Sequence, residues 1–336
     1  MVLPARRFFA LFLLVVSSQA FAEPLRVAYS YWFACVPLHI AEAHGFWKKR
    51  GLDVTVTTFA TGQEVNAAIK AGEIDLGYDM IGTWFDLAQQ GVPIVIVGET
   101  DWSNGGDKFL IRTGKDLASL KGQPVVIYQK SSALLLFLRE ALKREKMAIS
   151  DFKIVEMSED EKMKAAFAEG RVHLAMSYDP IAQQIVESGA TVVATTADFP
   201  GVMPEGFVAR REYISAGGDA KLEKFFAGWF EAVRYLRDPA NRAEVAKIAS
   251  EKTFAGTEKI TEENVVTYEK TMPVHSAALA LKRNDVAAQT TDEFMAAIQV
   301  LWHQQGRAMT ELPLTDYFHL GPIRAAATAD AAVASK

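Results

Sequence analysis

Carboxylates and aromatic rings recur side by side in this 336-residue chain. Tyr78 stands before Asp79, Trp102 is followed closely by Asp107, Tyr178 stands before Asp179, and Asp198 follows the run Thr191 to Thr195. Trp32, Phe33 and Tyr128 fall in similar settings, and the nearby cations are Lys108 and Lys130. A carboxylate accepts N–H groups and repels anions, while an aromatic face attracts a cation or stacks on a flat ring. The chemistry on offer is recognition of a small neutral or cationic molecule. Aspartates also cap helices and pair with lysines, so each of these four admits that plainer reading too. Signatures of catalysis are missing. His39 and His44 are five residues apart and fall on different faces of a helix, and neither His-Glu-x-x-His nor Cys-x-x-Cys occurs, so a metal site has no support. The chain has no phosphate loop of the Gly-x-x-x-x-Gly-Lys-Ser/Thr type and no Gly-x-Ser-x-Gly elbow, and no cofactor is expected.

The stretch Val54 to Val97 sets out the scaffold such groups need. Val54 to Phe59 is a β-branched run, broken by Ala60-Thr61-Gly62 before Val65, Ala68 and Ile69 recur at helical spacing. Gly72 stops that helix, Ile74 to Tyr78 reads as another strand, and a second helix runs through Trp84 and Leu87 to Gly91. Strands separated by single helices imply a parallel sheet, and ligands of such sheets sit beyond the carboxyl ends of the strands. Thr61-Gly62-Gln63 and Tyr78-Asp79-Met80 therefore fall at a binding edge. Ala67-Ala68-Ile69-x-x-Gly72-x-Ile74-x-Leu76-Gly77 returns 98 positions on as Ala165-Ala166-Phe167-x-x-Gly170-x-Val172-x-Leu174-Ala175. Both copies soon reach a Tyr-Asp pair, which points to two similar lobes facing one cleft. The loop Ser30 to Pro37 carries Tyr31, Trp32 and Phe33, which can plug the core or wall a pocket. In the loop Gln129-Lys130-Ser131-Ser132, the serines suit a helix N-cap, and the same geometry could hold a polar ligand group.

Arg6 and Arg7 precede a nine-residue apolar run, Phe8 to Val16, and then Ala20-Phe21-Ala22. This is the form of a cleavable secretory signal over residues 1–22, too short to span a bilayer permanently. Its loss, with two positive charges, would take the net charge from −5 to −7. Nucleic acid is not an expected partner of a chain with that balance and no basic patch. Cys35 is the only cysteine, so no intrachain disulfide can form and stability must come from the core.

Pro37-x-x-x-Ala41-x-x-x-Gly45-x-Trp47, then Gly51-Leu52-Asp53-Val54, Ala71-Gly72-Glu73-Ile74-Asp75-Leu76-Gly77 and Asp116-Leu117-x-x-Leu120-Lys121-Gly122 follow one another in order. In this the chain resembles the periplasmic solute-binding proteins of nitrate, sulfonate, taurine and thiamine-precursor transporters. The resemblance implies an α/β, two-lobed type II binding-protein fold: a mostly parallel sheet in each lobe, two hinge crossovers, and C-terminal helices on lobe one. It implies a periplasmic monomer that closes on a small molecule and delivers it to the permease of an ABC transporter. Enzymes related to this family carry a cysteine-rich motif that this chain lacks. On that frame lobe one spans residues 23–113 and 205–322, lobe two spans 114–204, and 323–336 form a disordered tail. Phe207 to Arg210 is expected to pair beside Phe109 to Arg112, with the hinge near Arg112 and Pro204 to Phe207. The expected ligand contacts are Trp32, Phe33, Gly62, Gln63, Tyr78, Asp79, Met80, Trp102, Asp107, Tyr128, Lys130, Ser131, Ser132, Tyr178, Asp179 and Asp198. Where anion-binding members commonly place small hydroxyl residues, this chain has Tyr78-Asp79-Met80-Ile81-Gly82, so a nitrogen heterocycle of the pyrimidine type is expected. The alternatives are a sulfonate, taurine or nitrate binder, and a ligand-carrying subunit for a chemoreceptor or kinase.

Overall fold

The computed structural model describes residues 23–285, Trp302, Gly306 and residues 316–334, so the expected signal segment lies outside the described residues. Short β-branched runs alternating with helices build two five-stranded sheets. The first contains β1 (Leu25–Ser30), β2 (Val54–Phe59), β3 (Leu76–Met80) and β4 (Ile94–Trp102). The second contains β5 (Asp107–Arg112), β6 (Pro124–Ile127), β7 (Lys153–Glu156), β8 (Leu174–Tyr178) and β9 (Ala190–Thr195). The tenth strand, β10 (Pro204–Arg210), returns to the first sheet, giving the orders β2-β1-β3-β10-β4 and β7-β6-β8-β5-β9.

In each sheet four strands run parallel, joined through α1 (Val36–Ala43), α2 (Gly62–Ala71) and α3 (Ile81–Gln89), or α4 (Ser132–Arg144), α5 (Asp160–Ala168) and α6 (Ile181–Glu187). The remaining strand of each sheet is antiparallel and is inserted by the chain arriving from the other lobe. β10 lies between β3 and β4, and β5 lies between β8 and β9. This corrects the expectation that Phe207 to Arg210 pairs with Phe109 to Arg112. An apolar run carries no label for its partner, and β5 has already crossed before it pairs. The crossovers are therefore Ser103–Gly106 and the residues just before Pro204, and Asp107 to Arg112 belongs with the second sheet.

The repeated sequence pattern is repeated backbone. Gly72 and Gly170 each follow a helix with φ of +74°, a left-handed conformation that glycine adopts without Cβ strain. At the other end of α2, the Thr61 side chain accepts the Glu64 N–H while the Glu64 carboxylate accepts the N–H groups of Ala60 and Thr61. That capping box holds the Gly62-Gln63 turn at the mouth of the cleft.

After β10, α7 (Arg211–Ser215), α8 (Asp219–Arg237), α9 (Arg242–Ile248), α10 (Glu262–Thr271), α11 (Ala277–Arg283) and α12 (Gly321–Ala334) complete lobe one. Phe225, Phe226, Trp229 and Val233 line the buried face of α8, and Trp47 stacks on Phe225 with ring centroids 5.5 Å apart. α12 corrects the expectation of a disordered tail. Its alanines are the strongest helix formers, and Ile323, Ala326 and Ala327 are small enough to bury in the lobe-one core.

The lobes also meet along the first turns of α3 and α4. A Cβ on Gly82 would lie 2.6 Å from the Ala133 nitrogen, so only glycine permits that approach. Ser132 N–H donates to Asp86 at 2.7 Å, and the Trp302 indole donates to the Ser132 hydroxyl at 2.7 Å.

Candidate functional site

A cleft opens at the carboxyl ends of the parallel strands of both sheets. Its walls come from Ser30 at the end of β1, Ala60 to Gln63 after β2, Tyr78 to Met80 ending β3, Tyr128-Gln129 after β6, and Tyr178 ending β8. It encloses about 540 Å³ of atom-free space, its mouth included.

Strand exchange builds the floor. Because β10 runs against β4, Glu205 sits opposite Asp101. Asp101 is fully buried and accepts the Trp32 indole N–H at 3.0 Å as well as the Tyr78 hydroxyl. Burial, and then the neighbouring Asp101 charge, push Glu205 well above the ordinary carboxylate range. Burial raises Asp101 as well, against the pull of its Tyr78 and Trp32 donors, so of the two carboxyls Glu205 is the one whose neutral form is the more favoured. Glu205 lines the cleft.

Asp79 lies on the neighbouring strand β3, paired with Gly206, and is 9% exposed. Burial pushes its pKa up to about 6, against the pull of Gln129, the Met80 N–H and Thr83. The Gln129 side chain reaches from lobe two and donates to Asp79 at 2.8 Å and to Thr83 at 3.1 Å. Gln63 reaches the other way, donating to Glu156 at 2.6 Å and to the Tyr128 carbonyl at 3.3 Å. These crossed amides draw the lobes together. Gly62 makes room for them, since a Cβ there would lie 2.4 Å from Gln129 Oε1. Asp160, at the start of α5, is lifted by burial to about 6 while accepting the Tyr178 hydroxyl at 3.0 Å.

Eight of the expected contacts meet in this cleft: Trp32, Gly62, Gln63, Tyr78, Asp79, Met80, Tyr128 and Tyr178. Asp107 stands one layer behind, accepting the Tyr128 hydroxyl at 2.6 Å, and burial lifts it to about 6. The others lie away from the lining. Phe33 is fully buried against Tyr268, the core-plug alternative, while Trp102 faces His275 and the Arg283 guanidinium. Lys130 is exposed, and its N–H donates to Glu156. Ser131 caps α4 through the Leu134 N–H, and Ser132 is held by Asp86. Asp179 pairs with Lys108, and Asp198 accepts the Thr195 N–H at 2.7 Å. Cys35 is buried in the lobe-one core, and desolvation pushes its thiol up.

The lining also includes Tyr31 and Thr61, which the sequence put on a pocket wall and at the binding edge, and Ser30, Ala60, Gln129, Ser158, Asp160 and Glu205, which the expected contacts omit. Gln129 and Asp160 had a signal, since each follows a strand of lobe two as Thr61 follows β2 in lobe one. Glu205 had none until its strand partner was known. Among the described residues, no group of three or more His, Cys, Asp and Glu is placed to hold a metal ion, and no helix is long and apolar enough to cross a membrane.

Two α/β lobes that exchange strands around a cleft define the type II periplasmic binding-protein fold. The chain belongs to the NMT1-like family, whose model matches residues 18–250. A binding protein of Brucella abortus is 30% identical over 220 residues, 63% of this chain and 67% of its own length. Among solved structures, the ligand-binding component of an ABC-type import system from Staphylococcus aureus, with zinc bound, has a TM-score of 0.72 at 15% identity. That alignment covers 91% of this chain and 99% of the other. The alkanesulfonate-binding protein SsuA of Xanthomonas axonopodis, bound to MOPS, has a TM-score of 0.70 at 21% identity over 88% of this chain and 98% of its own.

Proposed function

We propose that this chain is the periplasmic solute-binding subunit of an ABC-type importer. It takes a small neutral or cationic nitrogen heterocycle, of the pyrimidine type, into the cleft and presents it to the membrane permease. Support for the transport role comes from family membership and from the import-system neighbours. The ligand class rests on one observation. The carboxyls of Asp79, Asp160 and Glu205 line the cleft beside four tyrosines and Trp32, and no Lys or Arg lines it among the described residues. An anion would meet ionised Asp79 and Asp160 with no cation to offset them. A flat N–H donor would instead give its protons to Asp79 and stack on an aromatic wall.

The lobes would part by rotation about Ser103–Gly106 and the segment before Pro204. On this division lobe one comprises β1 to β4 and everything from β10 onward, and lobe two comprises β5 to β9. The amides of Gln63 and Gln129 would then reform their cross-lobe bonds as the cleft closes on its ligand.

Mass spectrometry of the small molecule that copurifies with the protein tests the ligand class, followed by calorimetry of the identified compound. A nitrogen heterocycle whose binding weakens tenfold or more in Asp79→Ala supports the reading. Tight binding of taurine, an alkanesulfonate or nitrate, undiminished by Asp79→Ala and Asp160→Ala, overturns it and returns the chain to the anion binders.

A further inference from the structure

The first crossover is held from both lobes, residue by residue. Asn104 is bound to lobe one: its N–H donates to the Thr271 carbonyl at the end of α10 at 2.8 Å, and its side-chain amide donates to the Lys270 carbonyl at 3.2 Å. Gly105 is bound to lobe two. Its N–H donates to the Thr196 hydroxyl at 2.7 Å, and its carbonyl accepts the Lys108 ammonium at 2.8 Å. Gly106 is divided between them, since its N–H returns to the Thr271 carbonyl at 3.2 Å while its carbonyl accepts the Asp179 N–H at 2.9 Å. Rotation of one lobe against the other therefore pulls on bonds to either side of Gly105.

Thr196 is the lobe-two half of this clamp. It is fully buried where β9 ends and the second crossover begins, and it is not among the residues that line the cleft. Its hydroxyl also bonds the Ser103 hydroxyl at 2.7 Å, and Ser103 Oγ accepts the Asp107 N–H at 3.0 Å. The Ser103 N–H donates to the Met203 carbonyl at 3.1 Å, so the two crossovers are braced together twice. The brace to Met203 joins the end of β4 to the start of β10 and moves with lobe one. The brace to Thr196 runs from the end of β4 to the end of β9 and so spans the lobes. A hydrogen bond weakens steeply once its distance and angle are lost, so this second brace is the one that rotation strains.

We infer that the Thr196 hydroxyl latches the hinge: its bonds to Ser103 and Gly105 form as the lobes come together and break as they part, so a buried positioning residue outside the cleft sets the fraction of closed protein. This rests on the lobe rotation proposed above and names the group that resists it. The latch is formed here while the crossed amides of Gln63 and Gln129 join the lobes. Gly105 and Gly106 supply the backbone dihedrals that absorb the turn. Once the latch breaks, the Gly105 N–H needs water in place of the hydroxyl, and that exchange favours the closed arrangement.

The test needs no ligand. Nitroxide labels on Ala255→Cys in lobe one and Glu187→Cys in lobe two, both exposed, report the lobe separation by pulsed electron paramagnetic resonance, and the buried Cys35 stays unlabelled. Thr196→Val removes the hydroxyl and should lower the ratio of short to long separations at least about fivefold, the worth of one ordinary hydrogen bond. Ser103→Ala, which removes the hydroxyl on the other side of the same bond, should act in the same direction. Thr196→Ser keeps the hydroxyl and should hold the ratio within about twofold. Ile69→Ala opens a cavity under α2, away from either crossover, and should lower the melting temperature without moving the ratio, which separates latching from loss of stability. A ratio that does not fall in Thr196→Val and Ser103→Ala, or that falls equally in Thr196→Ser or Ile69→Ala, overturns the inference and leaves the hinge in place. A single separation in every protein removes the lobe rotation itself, and the latch falls with it.

Discussion

Gly62→Ala tests how the lobes are held together without any knowledge of the ligand. Gly62 opens α2, its φ is not positive, and alanine there would ordinarily stabilise the helix by up to about 1 kcal/mol. The structure reverses that sign, because the new methyl would lie 2.4 Å from Gln129 Oε1 and 3.1 Å from Asp79 Oδ2. A side-chain amide can swing aside, so the cost is what Gln129 gives up rather than a rigid clash. It loses a bond to a buried carboxylate, at roughly 1.5–3 kcal/mol, and one to the Thr83 hydroxyl, at roughly 1 kcal/mol. Net of the helix gain, Gly62→Ala should destabilise by about 1.5–4 kcal/mol. In a Gln129→Ala background the obstacle is gone, and the same substitution should be neutral or stabilising. Urea denaturation of the four proteins of this double-mutant cycle measures the coupling. If Gly62→Ala costs the same with and without Gln129, the crossed amide does not join the lobes and the argument fails.

Four further outcomes follow from the buried carboxyls. Burial lifts Asp79 to about 6, so the folded protein binds that proton more tightly than the unfolded chain, whose aspartates titrate near 3.9. Relative to Asp79→Asn, the ligand-free wild type should therefore be favoured below pH 4 and lose stability as pH rises through 6, measured by denaturation at each pH. Affinity for a cationic probe should rise over the same window, as Asp79 and Asp160 ionise. Glu205→Gln should keep both stability and ligand affinity within about threefold, since an amide can also donate to Asp101, whereas Glu205→Ala should cost roughly 1–3 kcal/mol in denaturation experiments. Lys108→Met strands the Asp179 carboxylate at 8% exposure and should destabilise by about 3 kcal/mol; a change under 0.5 kcal/mol would mean the pair is solvated.

Much of the architecture was legible because it is local. The capped start of α2, the glycines that close the two helix–strand units, and the apolar face of α8 are each written within a dozen residues. What failed was partner choice over distance. β5 and β10 are similar apolar strands, and their exchange between sheets depends on where the crossovers fall rather than on their composition. The C-terminal segment failed for another reason. A run of alanines looks featureless as sequence, yet small side chains are what let α12 lie close against α8.

The candidate site divides along the same line. Residues at the ends of parallel strands, such as Tyr78, Asp79 and Tyr178, were readable because the position of a strand end is a local property. Asp179 and Asp198 sit in similar sequence settings, but Lys108 holds one oxygen of Asp179 and the Thr195 N–H is accepted by Asp198, and such partners come from chain that lies distant in sequence or turns back on itself. Glu205 is the opposite case. Nothing around it in the sequence suggests a site, and only the pairing of β10 against β4 sets it beside Asp101. Once there, it changes what the cleft can bind. A second buried charge next to Asp101 is disfavoured, so burial and the Asp101 charge both tilt Glu205 toward its neutral form. The negative charge that a cation would seek is thereby left to Asp79 and Asp160, one on each lobe, and such a ligand would draw the lobes together by neutralising both.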